Sequence, residues 1–529
     1  MRSALLGIVV ASATLAAFLT LNAACGVLPS DCFETFTCPS GGGGSSGSSA
    51  SASSSTSSGT GGGGGPPATC VPTAGMDPLD DTCGIFVSSS QGTDGAGSGS
   101  KAKPYKTLAA AITAAAKAKK PVYACAETFT ETLVIAAGVG VYGGLECTKS
   151  WSYKGDAKST LTADADSVPL TLSATANGAA LFDFTVQAAD AVIAGGSSIA
   201  VIADQVTAAL TRCDLIAGNG KDGLAGVMST VNVGEQVDST ASSIRGNNGT
   251  AACMNAASSP GGLPKDNTLC PAAMGGPLGG LGGSGGVVSG SNGDANPATM
   301  KTALGGIGQA AADPTLVCLT GNGNPALPGA DGAGAIGSST IGQLGAAGYS
   351  GVAGKDGVDG KPGQGGGGGG GAKGKAGCAG ASGGGGGAGG CGGHGGTGGQ
   401  AGGASIAMVS LGATLMLDTV TVALGAGGAG GDGGDSQPGA VGGIGGFGGA
   451  PNGGGTFQAC DGGKGGPGGA GGTGGGGRGG HAIGIAWNGT NAPTKMMVPV
   501  SKPGMPGLGG KGGPSQNGDP GLMVVMQKF

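Results

Sequence analysis

The residues of this chain that could do chemistry are few and scattered. Two histidines, His394 and His481, stand in 529 residues, each inside or beside a glycine repeat. No serine or cysteine nucleophile has a histidine partner outside that glycine context. Asp183, Asp204, Asp214 and Asp418 fall singly on the expected strands, and Asp80-Asp81 precedes them. Glycosidic acid–base work needs converging carboxylates. Arg212 and Asp214 lie two apart on one expected strand face, where a solvated ion pair is the ordinary outcome. GGDGGD at Gly430–Asp435 has the letters of a glycine-aspartate calcium turn without its nonapeptide period. A phosphate loop of the G-x-x-x-x-G-K-[ST] type is missing, and scattered GxGxxG matches carry no information in so much glycine. The residues therefore point to no catalytic group, no metal site and no cofactor.

The cysteines say more about address than about activity. The chain opens MRSALLGIVVASATLAAFLTLNAACG, with a short positive end at Arg2, an apolar stretch from Ala4 to Leu21 and small residues before Cys25. That order is an export signal over residues 1–24, although the apolar length also approaches a bilayer span. Leu21-Asn22-Ala23-Ala24-Cys25 resembles the lipobox of bacterial lipoproteins, which implies acylation of Cys25 and a lipid anchor in a membrane. The leucine stands four residues before the cysteine instead of three, so ordinary signal-peptidase cleavage stays open. Fourteen cysteines in an exported chain, with no C-x-x-C, read as disulfides and not as metal ligands. Cys32 and Cys38 bracket a short loop. Cys253 with Cys270, and Cys378 with Cys391, are each spaced to close a loop, which in the chain-entropy model stabilises by about 3 kcal/mol. With Cys25 acylated an odd number remains, leaving one thiol without an internal partner.

Composition limits the rest. Gly and Pro together make up roughly 30% of the chain, the level of low-complexity sequence. Aromatics at 3% leave little to bury, and charged residues at 10% leave little to keep a disordered chain expanded. Basic residues form no stripe and the net charge is −5, which argues against nucleic acid as a partner. Residues 25–69 hold the expected lipidated end and a Ser/Gly-rich linker.

Residues 70–220 carry the first clear elements. Ile85–Val87 is a short apolar strand. Thr107 is placed to cap a helix whose Leu108, Ala111, Ile112 and Ala115 share one face, with Lys117, Lys119 and Lys120 at its end and Pro121 beyond. Strands follow at Val122–Cys125, Thr132–Ile135 and Gly140–Tyr142. The run Gly92-Thr93-Asp94-Gly95, Pro104-Tyr105-Lys106-Thr107-Leu108, Val122-Tyr123, Phe129-Thr130-Glu131 and Gly140-Val141-Tyr142-Gly143-Gly144 resembles the start of right-handed parallel β-helix proteins of the pectin-lyase-like class. What the resemblance implies is an all-β solenoid of rungs about two dozen residues long, with an N-terminal capping helix. It makes Cys125 and Cys147, 22 residues apart and so near one rung, a disulfide candidate. Gly393-His394-Gly395 is similar to a catalytic fragment of pectin-degrading members. Here His394 is one X among several in a GGX repeat, and a spacer role is expected.

An internal repeat extends the pattern. GSSIAVIADQVTAALTRCDLIAGNG at 196–220 aligns without a gap to GASIAMVSLGATLMLDTVTVALGAG at 403–427, setting Ile199 with Ile406, Val201 with Met408, Leu210 with Leu417 and Leu215 with Val422. A degenerate copy begins at Gly480, with Ile483 and Ile485 in the same places. Strand-bearing units of this kind must stack to bury their apolar faces. The expected layout is a solenoid over 70–220, a glycine-rich insertion over 221–402, a rung over 403–425, a second insertion over 426–479 and a degenerate rung with a C-terminal strand over 480–529. Glycine at every third position from Gly342 to Gly366 suggests collagen, but with Pro362 as its one proline the run is too short for a stable triple helix. GGX segments have two outcomes, disorder or extended three-residue helices bonded side by side.

The functional expectation is a non-enzymatic structural or adhesive lipoprotein of the outer membrane or cell surface. The combination looks like the PGRS-type glycine-rich lipoproteins of some Gram-negative bacteria. A carbohydrate-binding or polysaccharide-cleaving β-helix is the alternative function, with polysaccharide or other envelope proteins as partners. A secreted form without lipid is the alternative location.

Overall fold

The computed structural model describes residues 70–73, 79–230, 238–270, 277–297, 302–494 and 498–529. Cys25, Cys32, Cys38, the export signal and the linker lie outside the described residues. Two compact units are distinguished, Met1–Val71 and Pro72–Phe529, and among the described residues every strand falls in the second.

Short strands in this unit gather into three parallel sheets. The first orders Ile85–Val87, Val122–Cys125, Gly140–Glu146, Ala179–Phe182, Thr207–Thr211 and Thr414–Asp418, with Ser152–Tyr153 antiparallel on Gly140–Glu146. Thr128–Thr130, Ser159–Thr162, Phe184–Gln187, Asp214–Ile216, Thr421–Ala423 and Val500–Lys502 make the second. The third runs Leu133–Ile135, Leu170–Leu172, Ser198–Asp204, Ser405–Leu411, Ala482–Asn488 and Met523–Lys528. From Val122 to Asn488 the chain's parallel-sheet strands visit first, second and third sheets in rotation, so parallel neighbours are supplied one circuit apart, and a last partial circuit adds Val500–Lys502 and Met523–Lys528 without a first-sheet strand. Alternation sends Val122, Val141, Leu181, Leu210, Phe129, Leu161, Leu215, Leu170 and Val201 into one shared core. Each such side chain, fully buried, contributes about 1.5–3 kcal/mol. Thr128–Thr130 is a strand beyond those expected from the sequence.

One helix, Leu108–Ala118, sits where its sequence signals put it. The Thr107 hydroxyl accepts from the Ala110 amide, and Leu108, Ala111, Ile112 and Ala115 are buried. The Glu131 carboxylate accepts from the Leu108 and Ala109 amides at 2.8 and 3.0 Å, satisfying orphan donors of the first turn. Lys119 ends the helix in the left-handed region. Cys125 is bonded to Cys147.

The ungapped repeat is the pairing register itself. Ile199 lies beside Ile406, Val201 beside Met408, Leu210 beside Leu417 and Leu215 beside Val422. Ile406 in turn pairs with Ile483, and Met408 with Ile485. All three glycine-rich excursions leave between a strand of the second sheet and the next strand of the third: after Ile216, after Ala423 and after Lys502.

Those excursions are ordered. Amides of Gly354, Gly357, Gly360, Gly363, Gly366 and Gly369 donate to carbonyls of Gly399, Gly396, Gly393, Gly390, Gly387 and Gly384 at 2.8–2.9 Å, an antiparallel pair with a period of three. Gly387, Gly390, Gly393, Gly396 and Gly399 donate in parallel to Gly463, Gly466, Gly469, Gly472 and Gly475. Glycines of these columns avoid positive φ, and with three residues per turn the columns are extended left-handed helices. Such a helix has no internal hydrogen bonds, so every buried amide must find a neighbouring column. Of the two outcomes open in the sequence, the structure adopts the bonded one.

Glycine density follows the number of neighbours. The 352–363 segment has glycine once per turn, and a Cβ added at Gly357 or Gly360 would lie on the carbonyl oxygen of Gly472 or Gly469. The 389–399 segment has glycine twice per turn, with Gly389 facing Gly363 and Gly390 facing Ala440. The all-glycine run 365–371 is flanked by six columns, 278–286, 289–296, 303–310, 321–324, 383–387 and 460–466. The runs 383–387 and 474–477 are enclosed in the same way. At the rim, where a neighbouring carbonyl is missing, side chains accept instead. Asp359 accepts from Gly395, Asp356 from Gly398, Asp331 from Ala470 and Asp222 from Ala429.

The bundle disulfides correct the sequence expectation. Cys253 is bonded to Cys378 and Cys270 to Cys391, not Cys253 to Cys270 or Cys378 to Cys391. Columns fold back on one another, so residues some 120 apart meet while those in one loop diverge. Cys318–Cys460 is a further bond that spacing did not suggest.

Candidate functional site

A buried carboxylate with a bidentate arginine partner lies where the chain turns from the first sheet to the second. Asp183, Arg212 and Thr419 occupy equivalent turn positions of successive circuits, all with positive φ (59°, 53° and 53°). The Asp183 amide donates to Thr211 and the Arg212 amide to Asp418, which stacks the turns. Held this way, the Arg212 guanidinium grips Asp183 bidentately, Nε to Oδ1 at 2.7 Å and Nη2 to Oδ2 at 2.8 Å. The Tyr153 hydroxyl donates to the same Oδ2 at 2.9 Å.

Asp183 is 2% exposed, whereas the Arg212 side chain is 41% exposed. The hydrogen bond to Asp183 raises the Arg212 pKa, while burial and then the same carboxylate raise that of Tyr153. Asp214 belongs to a second pair, with Lys158 Nζ at 2.6 Å and the Thr421 hydroxyl at 2.7 Å. The expected Arg212–Asp214 ion pair is therefore not formed. Arg212 is in the turn and only Asp214 is in the strand, so the two do not share a strand face.

Beside this cluster an aromatic row runs along the first sheet. Phe86, Tyr123, Tyr142 and Phe182 are register neighbours with ring centroids 5.2, 5.6 and 4.5 Å apart, and Trp151 meets Phe86 edge-on at 4.9 Å. The row is buried up to its last member, partly buried Phe182, one residue before Asp183.

Chemically the cluster holds geometry more readily than it moves protons. Three charge-assisted or hydroxyl hydrogen bonds hold Asp183 as the buried carboxylate, which suits an anchor for the turn more than a base. Cys213, free among the described residues, is buried, and burial pushes its thiol up to about 12, far from a reactive thiolate. His394 stands in its GGX slot with Nδ1 3.2 Å from Asp359 Oδ2, and Cys391 beside it is in a disulfide. Arg478, Tyr153, Lys158 and the pairing of Cys318 are not singled out by the sequence, and His481 is marked there only as the second of two histidines. His481 is fully buried and contacts Tyr349 and Phe529 edge-on, at 5.3 and 6.1 Å between ring centroids. Among the described residues, no group of three or more His, Cys, Asp and Glu could hold a metal, and no helix is long and apolar enough to cross a membrane. Comparison with protein-family models, with curated proteins and with solved structures finds no match to this chain.

Proposed function

We propose that this is an exported, surface-anchored structural lipoprotein. In this reading the three parallel sheets are the faces of a right-handed parallel β-helix with its N-terminal cap, and Cys25 carries the lipid. The observation that carries the reading is the glycine bundle. Its three excursions are bonded column to column through backbone amides, Cys253–Cys378 and Cys270–Cys391 pin the first, and Cys318–Cys460 ties the first to the second. Disulfides of this kind belong to an oxidising compartment. A body built from main-chain hydrogen bonds is suited to spacing and adhesion, where rigidity matters more than a pocket.

The solvent-reaching guanidinium of Arg212 beside partly buried Tyr153 and Phe182 favours a second reading, a carbohydrate-binding or polysaccharide-cleaving β-helix. One experiment addresses both. Whole cells are treated with a protease, with and without the lipoprotein-processing inhibitor globomycin, and purified protein is incubated with a polysaccharide panel. The structural reading expects globomycin-sensitive processing, cleavage on intact cells, and no new reducing ends or unsaturated products. Product formation abolished by Asp183→Asn would replace it with the enzymatic reading.

A further inference from the structure

Among the described residues, the bundle has a column position that is filled over half its length and open over the rest. Residues 303–310 lie between the 354–371 and 321–338 columns, where Gly367 and Gly370 face the carbonyls of Leu304 and Ile307. Continuing that slot of the 354–371 column at the same three-residue period gives Gln364, Lys361, Val358 and Lys355. Glycine is abandoned where the 303–310 column ends. Amides of these four donate to carbonyls of Leu327, Ala330, Ala333 and Ile336, so the two series lie side by side. Leu327, Val358 and Ile336 are 54%, 53% and 72% exposed, and Ala330, Ala333, Lys355 and Lys361 are exposed as well. Leu304 and Ile307, 55% and 58% exposed, extend the apolar surface past the Thr302–Gln364 contact.

No carboxylate stands in either series. Asp331 is turned to the Ala470 amide, Asp356 to Gly398 and Asp359 to Gly395, which directs the local negative charge to other edges. The carbonyls of Leu327, Ala330, Ala333 and Ile336 are taken by the neighbouring column, while their own amides donate to no backbone carbonyl among the described residues and leave a row of donors along the strip. The result is an apolar strip about 28 Å long, nine residues at 3.1 Å each, with two lysines set in it. A contiguous apolar surface flanked by cations has the character of a membrane-surface face.

We infer that this face, formed by Leu327, Ala330, Ala333 and Ile336 with Lys355, Val358 and Lys361, rests on a bilayer bearing anionic headgroups. The inference rests on the surface-lipoprotein reading, in which a tether keeps the face near such a bilayer and raises its effective concentration.

The test uses residues 70–529, which contain the compact unit and lack the lipidation site. Disulfide-intact protein is sedimented with vesicles of phosphatidylcholine alone or with about one third phosphatidylglycerol. Binding is expected to the anionic vesicles, to fall with salt, and to drop about tenfold or more in K355E/K361E, with a comparable loss in V358D/I336D. Leu224→Asp, at an exposed apolar residue away from the face, should bind as the parent does. Equal binding to both vesicles, or binding untouched by K355E/K361E, overturns the inference. So does capture by a soluble acidic polysaccharide with none by vesicles, or self-association on gel filtration that the same variants abolish. Lipidation of Cys25, read separately by mass spectrometry of the mature N-terminus, can fail while vesicle binding by 70–529 succeeds, and the reverse.

Discussion

His481 joins two segments through both of its ring nitrogens. Nε2 meets the Ile341 carbonyl at 2.9 Å, and the Leu522 amide donates to Nδ1 at 2.9 Å, so the bonded form is the neutral Nε2–H tautomer. Burial holds its pKa below the ordinary 6.5, and the Arg478 charge adds to the lowering. The unfolded chain therefore takes up the proton first. Stability from this group is present above about pH 6.5 and is lost as pH falls below that value toward the folded pKa. Melting temperatures measured between pH 8 and pH 5.5 should decline at the acid end for the wild type. His481→Gln should be less stable at pH 8 but show a shallower decline, and parallel curves would refute the assignment. Asp183 gives a second residue-level expectation. Asp183→Asn removes the charged acceptor from Arg212 and Tyr153, and since Arg212 reaches solvent the cost should be about 2 kcal/mol, read as a shift in urea midpoint at unchanged m-value. Neither contact was legible in the sequence. Arg212 has Asp214 two residues away, and only the positive φ at 212 reveals that its partner belongs to the preceding circuit.

At the scale of the element, a three-residue helix has three edges, and the sequence states which are covered. One glycine per turn marks one covered edge, two mark two, and an unbroken run marks full enclosure, as at 365–371. The second series of the 428–449 column makes the point. It reads Gly428, Gly431 and Gly434 against the 221–227 segment, then Gln437 and Ala440, then Gly443, Gly446 and Gly449 against 244–250. Glycine lapses between the two contacts. Gly368→Ala would place a Cβ on the Leu281 carbonyl, backbone that cannot give way, and should destabilise by about 3 kcal/mol or more. Ala330→Gly, on an exposed edge, should stay within about 1 kcal/mol. Chemical denaturation of the two variants separates the edges, and equal costs would show that neighbour contact is not what glycine serves. The period of the glycine is thus legible, and even the count of covered edges, but not the identity of what covers them. Antiparallel folding decides which columns meet, and that is why the spacing suggested Cys253 with Cys270 when the bonds are Cys253–Cys378 and Cys270–Cys391. Disulfide mapping of non-reduced peptides should recover the crossed pairs and Cys318–Cys460.

At the scale of the compact unit, the sheets were more readable than the bundle because their information is repeated in the chain. A strand one circuit on carries the same inward residues, so the offset of 207 that aligns the sequence also sets hydrogen bonds from Thr421 to Asp214, Ala426 to Asn219 and Ala429 to Asp222. The bundle has no such echo, since its columns come from three separate excursions that interlock. The 384–402 column bonds to 354–369 from its own excursion, to 428–446 and 460–478 from the second, and the 474–477 run is closed by 507–518 from the third. No excursion can satisfy its own amides alone, and contacts this distant in sequence form late in folding. Replacing residues 426–479 by a short turn should therefore leave Ser405–Leu411 paired with Ser198–Asp204 while the 384–402 column loses two of its neighbours. Hydrogen exchange should then show protection retained at Ile406 and Met408 and lost at Gly390, Gly393 and Gly396. If those glycine amides stayed protected, the first excursion would be self-sufficient and the bundle would be an assembly of independent parts instead of one cooperative body.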